Sequence, residues 1–226
     1  MIILLIICMQ ILFANEELYY TVKIGNIGAG SAILKYQDSY NNNKELAKIS
    51  FNIKTNKLID IFYKLRDSIT MIINSNDYSI NEISKNLQQG KYKRENKTTI
   101  DYTKHSIFYK NQEINFNNKI YSPTSIIYYL RKQNLHIHQE FPFQIFDNGK
   151  IKNIIVKVID LKSIKIKSNT YKCFELLAQS TNKQGILKEE MTFFIESENN
   201  HIPIIIKTKT KQGDMFLKLK KIINHE

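Results

Sequence analysis

Tryptophan is absent from this 226-residue chain, and cysteine, proline and arginine are scarce, with two, three and three residues respectively. Each scarcity removes a class of explanation. The cysteines are Cys8 and Cys173. Cys8 lies in the apolar run from Ile2 to Phe13, which has the length of a signal-peptide core and falls well short of the ~20 residues needed to cross a bilayer. Ala14 supplies a small residue before a cut, so residues 1–14 are expected to be a cleaved export signal. Lipidation of Cys8 fits poorly, because the preceding Ile7 is β-branched where a small residue is wanted. Cleavage after Ala14 leaves Cys173 alone, which excludes an intramolecular disulfide despite an oxidising compartment.

The arginines are Arg66, Arg94 and Arg131, against thirty lysines in a chain of net charge +12. Reading of phosphates or bases favours the planar guanidinium fork. Here the lysines are scattered singly along strands, as on solvated faces, and Asn and Ile abound. The charge reads as the codon usage of an AT-rich genome, with a functional basic surface for an anionic partner as the alternative, and no nucleic-acid partner is expected.

Catalytic signatures are missing too. There is no Gly-x-Ser-x-Gly elbow, and Cys173, between Lys172 and Phe174 in a strand, sits where a buried structural thiol belongs. His136 and His138 would share one face of a strand, but two imidazoles fall short of the three or four ligands of a metal site. The acid pairs Glu189–Glu190 and Glu196–Glu198 have lysines nearby and read as solvated faces. No catalytic residue, metal or cofactor is expected.

What the chain does have is a two-residue rhythm. Ile49, Phe51 and Ile53 alternate with Lys48, Ser50 and Asn52, and Ile69, Met71 and Ile73 with Ser68 and Thr70, as half-buried antiparallel strands require. Asp147-Asn148-Gly149 is a tight-turn signal, since Asn-Gly tolerates positive φ. Pro142, among Phe141, Phe143 and Phe146, suggests an edge strand over Asn134 to Phe146. The strand Lys150 to Leu161 is apolar on both sides and is expected to be covered on both. Leu58 to Tyr63 is apolar all round and fits a turn of helix or a strand entry.

The rhythm breaks at Ser122-Pro-Thr-Ser-Ile-Ile-Tyr-Tyr-Leu-Arg-Lys-Gln133. Ser122 can cap, Pro123 suits the first helical position, and Ile126, Tyr129, Leu130 and Gln133 follow at helical spacing. The expected fold is therefore all-β: an antiparallel curled sheet or barrel-like fold of about a dozen strands, with one short helix at about 123–133 plugging its concave face. With no fixed-period repeat and no linker, residues 15–226 are expected to form one domain.

With helix and strands placed, the chain resembles the domain of unknown function 3108 family of exported bacterial proteins. The likeness rests on Tyr128-Tyr129-Leu130-Arg131 in the helix and on Ile164 to Phe174 around the turn Ser168-Asn169-Thr170-Tyr171, where Asn169 replaces the usual glycine and still permits a left-handed residue. It extends to Thr192–Glu196 with His201-Ile202-Pro203-Ile204, Gly213 and Leu217, and to the opening hairpin Tyr20–Leu34. The resemblance implies an all-β periplasmic protein of a Gram-negative-type envelope, and it supplies no catalytic residue. Tyr128, Tyr129 and Arg131 are the candidate ligand-binding residues, two amphipathic rings and a bidentate donor that would gate an apolar groove. The bland alternative is that the rings cover core and Arg131 caps the helix or pairs with Asp67 or Asp160. The function expected is non-enzymatic binding of a lipid or other amphiphile, with membrane association peripheral at most. Its rivals are an envelope protein-interaction module using the edge from Glu140 to Phe146, and a glycan-acting or hydrolytic enzyme.

Overall fold

The computed structural model describes residues 15–38, 40–43, 45–181, 187–198, 200–210 and 213–225. The expected export segment, the turn residue Gln212 and the side chains of Glu189 and Glu190 lie outside the described ones. The chain opens with the hairpin β1 (Glu16–Ile24) and β2 (Ile27–Gln37). A meander follows through β3 (Leu46–Thr55), the single-turn helix α1 (Lys57–Asp60), β4 (Leu65–Asn74), β5 (Ile80–Gln89), β6 (Tyr92–Asp101), β7 (Ser106–Tyr109) and β8 (Gln112–Asn115). After β9 (Ile120–Tyr121) comes α2 (Pro123–Arg131), and then β10 (Glu140–Asp147), β11 (Lys150–Ile166), β12 (Asn169–Thr181), β13 (Leu187–Glu196), β14 (Pro203–Thr210) and β15 (Gly213–Asn224).

All fifteen strands belong to one sheet, ordered β8-β7-β6-β5-β4-β3-β2-β1-β15-β14-β13-β12-β11-β10-β9. Pairing is antiparallel throughout the described residues except between β9 and β10. The first and last long strands thus pair in the middle of the sheet, and its two ends, β8 and β9, are neighbours in sequence. The sheet curls until those ends approach, and side chains close the seam where backbone does not. Tyr102 Oη donates to the Ile80 carbonyl at 2.9 Å and lies 3.4 Å from the Ile120 amide. Arg94 donates to Asn148 at 3.0 Å, and the Tyr109 and Phe146 rings meet edge to face at 5.4 Å.

In a meander, alternate turns lie at the same end of the sheet. One end carries the turns at 25–26, 56–64, 90–91 and 148–149. The other carries 75–79, 102–105 and 167–168, and it is filled by α2. That helix starts as its residues dictate: Ser122 Oγ accepts from the Ser125 amide at 3.0 Å, and Ser125 Oγ accepts from the Ser122 amide at 3.0 Å, a capping box built of two serines. Ser125, Ile126, Ile127, Tyr128, Leu130 and Arg131 are all buried. A helix buried nearly all round is a plug, broader in its contacts than the stripe its spacing suggested.

The all-β, barrel-like, helix-plugged architecture is the one expected, with five refinements. Fifteen strands replace about a dozen, partly because the two-residue β9 has no alternation to read. A second, one-turn helix resolves Leu58 to Tyr63. Residues 134–139 are loop, and His138, at φ 72, leaves strand geometry. The outer face of β11 is only partly covered: Ile154, Val156 and Val158 are buried, whereas Ile151, Ile155 and Leu161 are half-buried and Ile159 is exposed. At the β11–β12 turn the left-handed residue is Lys167, at φ 55, and Asn169 begins the next strand.

Gly30 tests the curl. It pairs with Thr55 across β2 and β3, and an added Cβ would sit 2.0 Å from the Lys54 carbonyl oxygen. Main chain cannot rotate away as a side chain can. Gly30→Ala is expected to lower the urea midpoint, by the ~1–3 kcal/mol typical of overpacking. An unchanged midpoint would show that the two strands separate freely there.

Candidate functional site

Inward positions of β3, β4 and β5 stack in register into rows across the sheet. Ile49, Met71 and Ile83 form one row, and Phe51, Ile69 and Lys85 the next toward the open end. Opposite them stand Ile154 and Val156 of β11, Ala178 of β12, and Met191 and Phe193 of β13. Between these walls, above the first turn of α2 at Ser122–Ile126, lies a hollow of ≈ 330 Å³. That is at the lower end of the ~300–1,000 Å³ usual for small-molecule sites. Its apolar walls are a consequence of the alternation, and its floor of the plug.

The charged residues lining it are Lys85, Asp147 and Lys152. Asp147 Oδ1 is 3.4 Å from Lys85 Nζ, and Oδ2 is 4.0 Å from Lys152 Nζ. Both separations exceed the ~2.7–2.9 Å of a tight charge-assisted bond, so one carboxylate is shared loosely between two ammonium groups. Asn96, directly opposite Lys85 in the β5–β6 register, has its Nδ2 buried without a hydrogen-bond partner among the described residues, as does Arg94 Nε nearby. Donors outnumber acceptors here. The arrangement suits an apolar body ending in an anionic or acceptor group, and it offers no nucleophile paired with a base.

The three residues singled out from the sequence lie elsewhere on α2. Arg131 is buried and forks onto Glu16, with Nη1–Oε1 at 2.6 Å and Nη2–Oε2 at 2.8 Å. Its Nε donates to the Asn200 carbonyl at 3.2 Å, and its own carbonyl accepts from His201 Nδ1 at 3.0 Å. Tyr128 packs between this guanidinium, 5.1 Å from its ring centre, and the Tyr36 ring at 5.0 Å. Burial raises the Tyr20, Tyr36 and Tyr128 hydroxyls above the usual phenol range and pushes Tyr78 up to about 12, so all four stay neutral. Tyr129 sits half-buried among Tyr121, Phe141 and Phe143. None of the three lines the hollow. Arg131 does pair with an acid, but with Glu16 rather than Asp67 or Asp160.

Sequence reasoning missed Lys85 and Lys152, and a signal for them existed. Lys85 interrupts Ile83 and Leu87 in phase with the buried face, and Lys152 precedes Ile154, Val156 and Val158 in phase. A charge on the inward beat is costly unless it meets a partner or a cavity. His136 and His138 are both exposed, and no group of three or more metal-ligating side chains occurs among the described residues.

A curled antiparallel sheet with a helix in one end and a hollow above it defines a β-barrel-like protein. In keeping with that class, the chain is similar to the crystal structure of a beta-barrel-like protein of domain of unknown function DUF1849 from Brucella abortus. The TM-score is 0.69 at 11 % identity, covering 95 % of this chain and 99 % of that one. More particularly, residues 19–220 match the family described as "Protein of unknown function (DUF3108)", and the chain belongs to that family. No curated protein matches it.

Two predictions follow from the plug and the strand beside it. Glu16→Ala or Arg131→Ala alone strands a buried charge and is expected to cost ~3–5 kcal/mol. The double variant should be less destabilised than the sum of the singles, read from a denaturation double-mutant cycle; strict additivity would disprove the clamp. Cys173 is fully buried, and burial pushes its thiol up to about 12. It should resist disulfide-exchange reagents at pH 8 until the protein unfolds.

Proposed function

We propose that this protein is a non-enzymatic component of the periplasm that holds a lipid or other amphiphile in the hollow of its curled sheet. The observation that carries the reading is the apolar, blind-ended hollow of ≈ 330 Å³ with lysines at its mouth. The export-like segment at 1–14 and the family's exported character support the compartment. In this reading the acyl chain lies along Met71, Ile154, Val156 and Phe193, and an anionic head displaces Asp147 from Lys85 and Lys152. Arg131, Tyr128 and Tyr129 act on the ligand only by holding the plug that ends its pocket. The interaction-module reading has one feature in its favour, since β9 covers only Gln144 and Ile145 of β10 and leaves Glu140 to Phe143 open. Pro142 stands in that open stretch and cannot donate to an added strand, which favours the hollow.

Native mass spectrometry of the purified protein should show a copurified amphiphile, and dodecanoate should bind in competition with a fluorescent fatty acid. Ala178→Phe, which projects a ring into the hollow, is expected to weaken dodecanoate binding more than tenfold while the chain still melts cooperatively. Lys85→Gln with Lys152→Gln should weaken dodecanoate binding by roughly ten- to a hundredfold, as loss of a charged hydrogen bond of ~1.5–3 kcal/mol implies, and leave dodecanol unaffected. Absence of any bound amphiphile, or full binding by the filled variant, would remove the reading.

A further inference from the structure

The open end of the barrel carries apolar side chains that the fold does not use. Leu58, Ile61 and Phe62 are 73, 76 and 86 % exposed, and Ile27, on the adjoining β1–β2 turn, is 65 % exposed. Tyr63 and Tyr92 extend the same surface. Isolated exposed leucines need no explanation, but a contiguous apolar patch marks a binding surface. None of these side chains belongs to the cavity, the plug or the seam.

The patch is also held stiff. Asn56 caps α1 by accepting from the Ile59 amide at 3.0 Å, while its Nδ2 donates to the Gly28 carbonyl at 2.8 Å and its amide to the Ala29 carbonyl at 2.9 Å. The Gly90 amide donates to the Lys64 carbonyl at 2.8 Å, tying the β5–β6 turn to the same lip. Ile59 alone of the α1 apolar residues packs on the core, so its neighbours point outward by construction. Charge completes the picture. Lys54, Lys57, Lys64, Lys91 and Lys93 are all exposed around the lip. Asp60, the acid within α1, is taken up by Arg66, whose Nη1 donates to it at 3.0 Å, and by Thr55 Oγ1 at 2.5 Å.

An apolar tip ringed by exposed lysines matches the layering of an anionic bilayer, headgroup charge outside and acyl chains within. We infer that the lip formed by Ile27, Leu58, Ile61 and Phe62 docks the open end of the barrel onto an anionic lipid membrane, with Lys57, Lys64 and Lys91 on the headgroups. The inference stands on the surface and not on cavity occupancy, so it is tested separately from the amphiphile reading.

The test is vesicle flotation with the purified mature protein, expressed to begin after Ala14. Vesicles containing phosphatidylglycerol should bind it at least tenfold more tightly than phosphatidylcholine vesicles, and salt should weaken that preference. Leu58→Asn with Ile61→Asn and Phe62→Ser should lower binding at least tenfold without lowering the melting temperature, because the replaced side chains are exposed. Ala178→Phe should float like the unaltered protein, which separates docking from cavity filling. Equal flotation of the triple variant, or no flotation of the unaltered protein, overturns the inference. So does a concentration-dependent dimer that the triple variant abolishes in the absence of vesicle binding, since the lip would then cover a second copy of the chain.

Discussion

A guanidinium and a carboxylate, both buried, fasten the helix into the barrel. Arg131 and Glu16 are 115 positions apart, and their two hydrogen bonds, at 2.6 and 2.8 Å, join the last turn of α2 to the first residue of β1. Burying two ions is expensive, and the cost is met only if the fork is bidentate and the remaining donors are used. Nε finds the Asn200 carbonyl, and Tyr128 lies over the charge. Such a pair tolerates one geometry. It therefore fixes the depth of α2 in the sheet, and with it the floor of the hollow at Ser122–Ile126.

The sheet makes a complementary demand. A strongly twisted sheet of fifteen strands must curl or split. Here it curls around the plug, and the ends meet through side chains. Tyr102 bridges Ile80 and Ile120, and Tyr109 receives Phe146. Contacts of this kind close the wall where the backbone ladder stops. They also bring Asp147, at the tip of β10, over Lys85 of β5. The mouth chemistry is thus a product of seam closure: neither half of the sheet contains the Lys–Asp–Lys arrangement alone.

Local physics was legible in the sequence, and long-range partnership was not. Pro123 at the first helical position, the Asn148-Gly149 turn with φ of 50 and 81°, and Pro142 on a stretch of β10 with one neighbour all follow from the conformational limits of single residues. The alternation of Ile49, Phe51 and Ile53 gave the inward face of β3. Nothing local tells Arg131 that its acid is Glu16, because the pairing depends on β15 returning to β1. Nor does local pattern show that β11 has a partly open outer face, since an isoleucine-rich composition places a half-buried Ile155 and an exposed Ile159 there. Lys85 could have been read, as a charge on the apolar beat, had the phase of β5 been fixed by its neighbours.

The interior grades along its axis. Next to the plug the rows across β3, β4 and β5 are Ile49, Met71 and Ile83, then Phe51, Ile69 and Lys85, then Ile53, Asp67 and Leu87. Asp67, half-buried, has its carboxyl raised by burial and accepts from Gln89 at 2.6 Å. Polarity therefore rises from floor to mouth, and beyond the mouth it falls again at Leu58, Ile61 and Phe62. An apolar floor explains why residence would be favourable for a hydrocarbon chain, and a charged collar why its head would stay at the rim. In the proposed reading, the apolar lip outside that collar takes no part in holding a bound ligand. Its position becomes intelligible if ligand passes between the hollow and another apolar phase, because a barrel whose mouth rests on that phase spares the chain a passage through water.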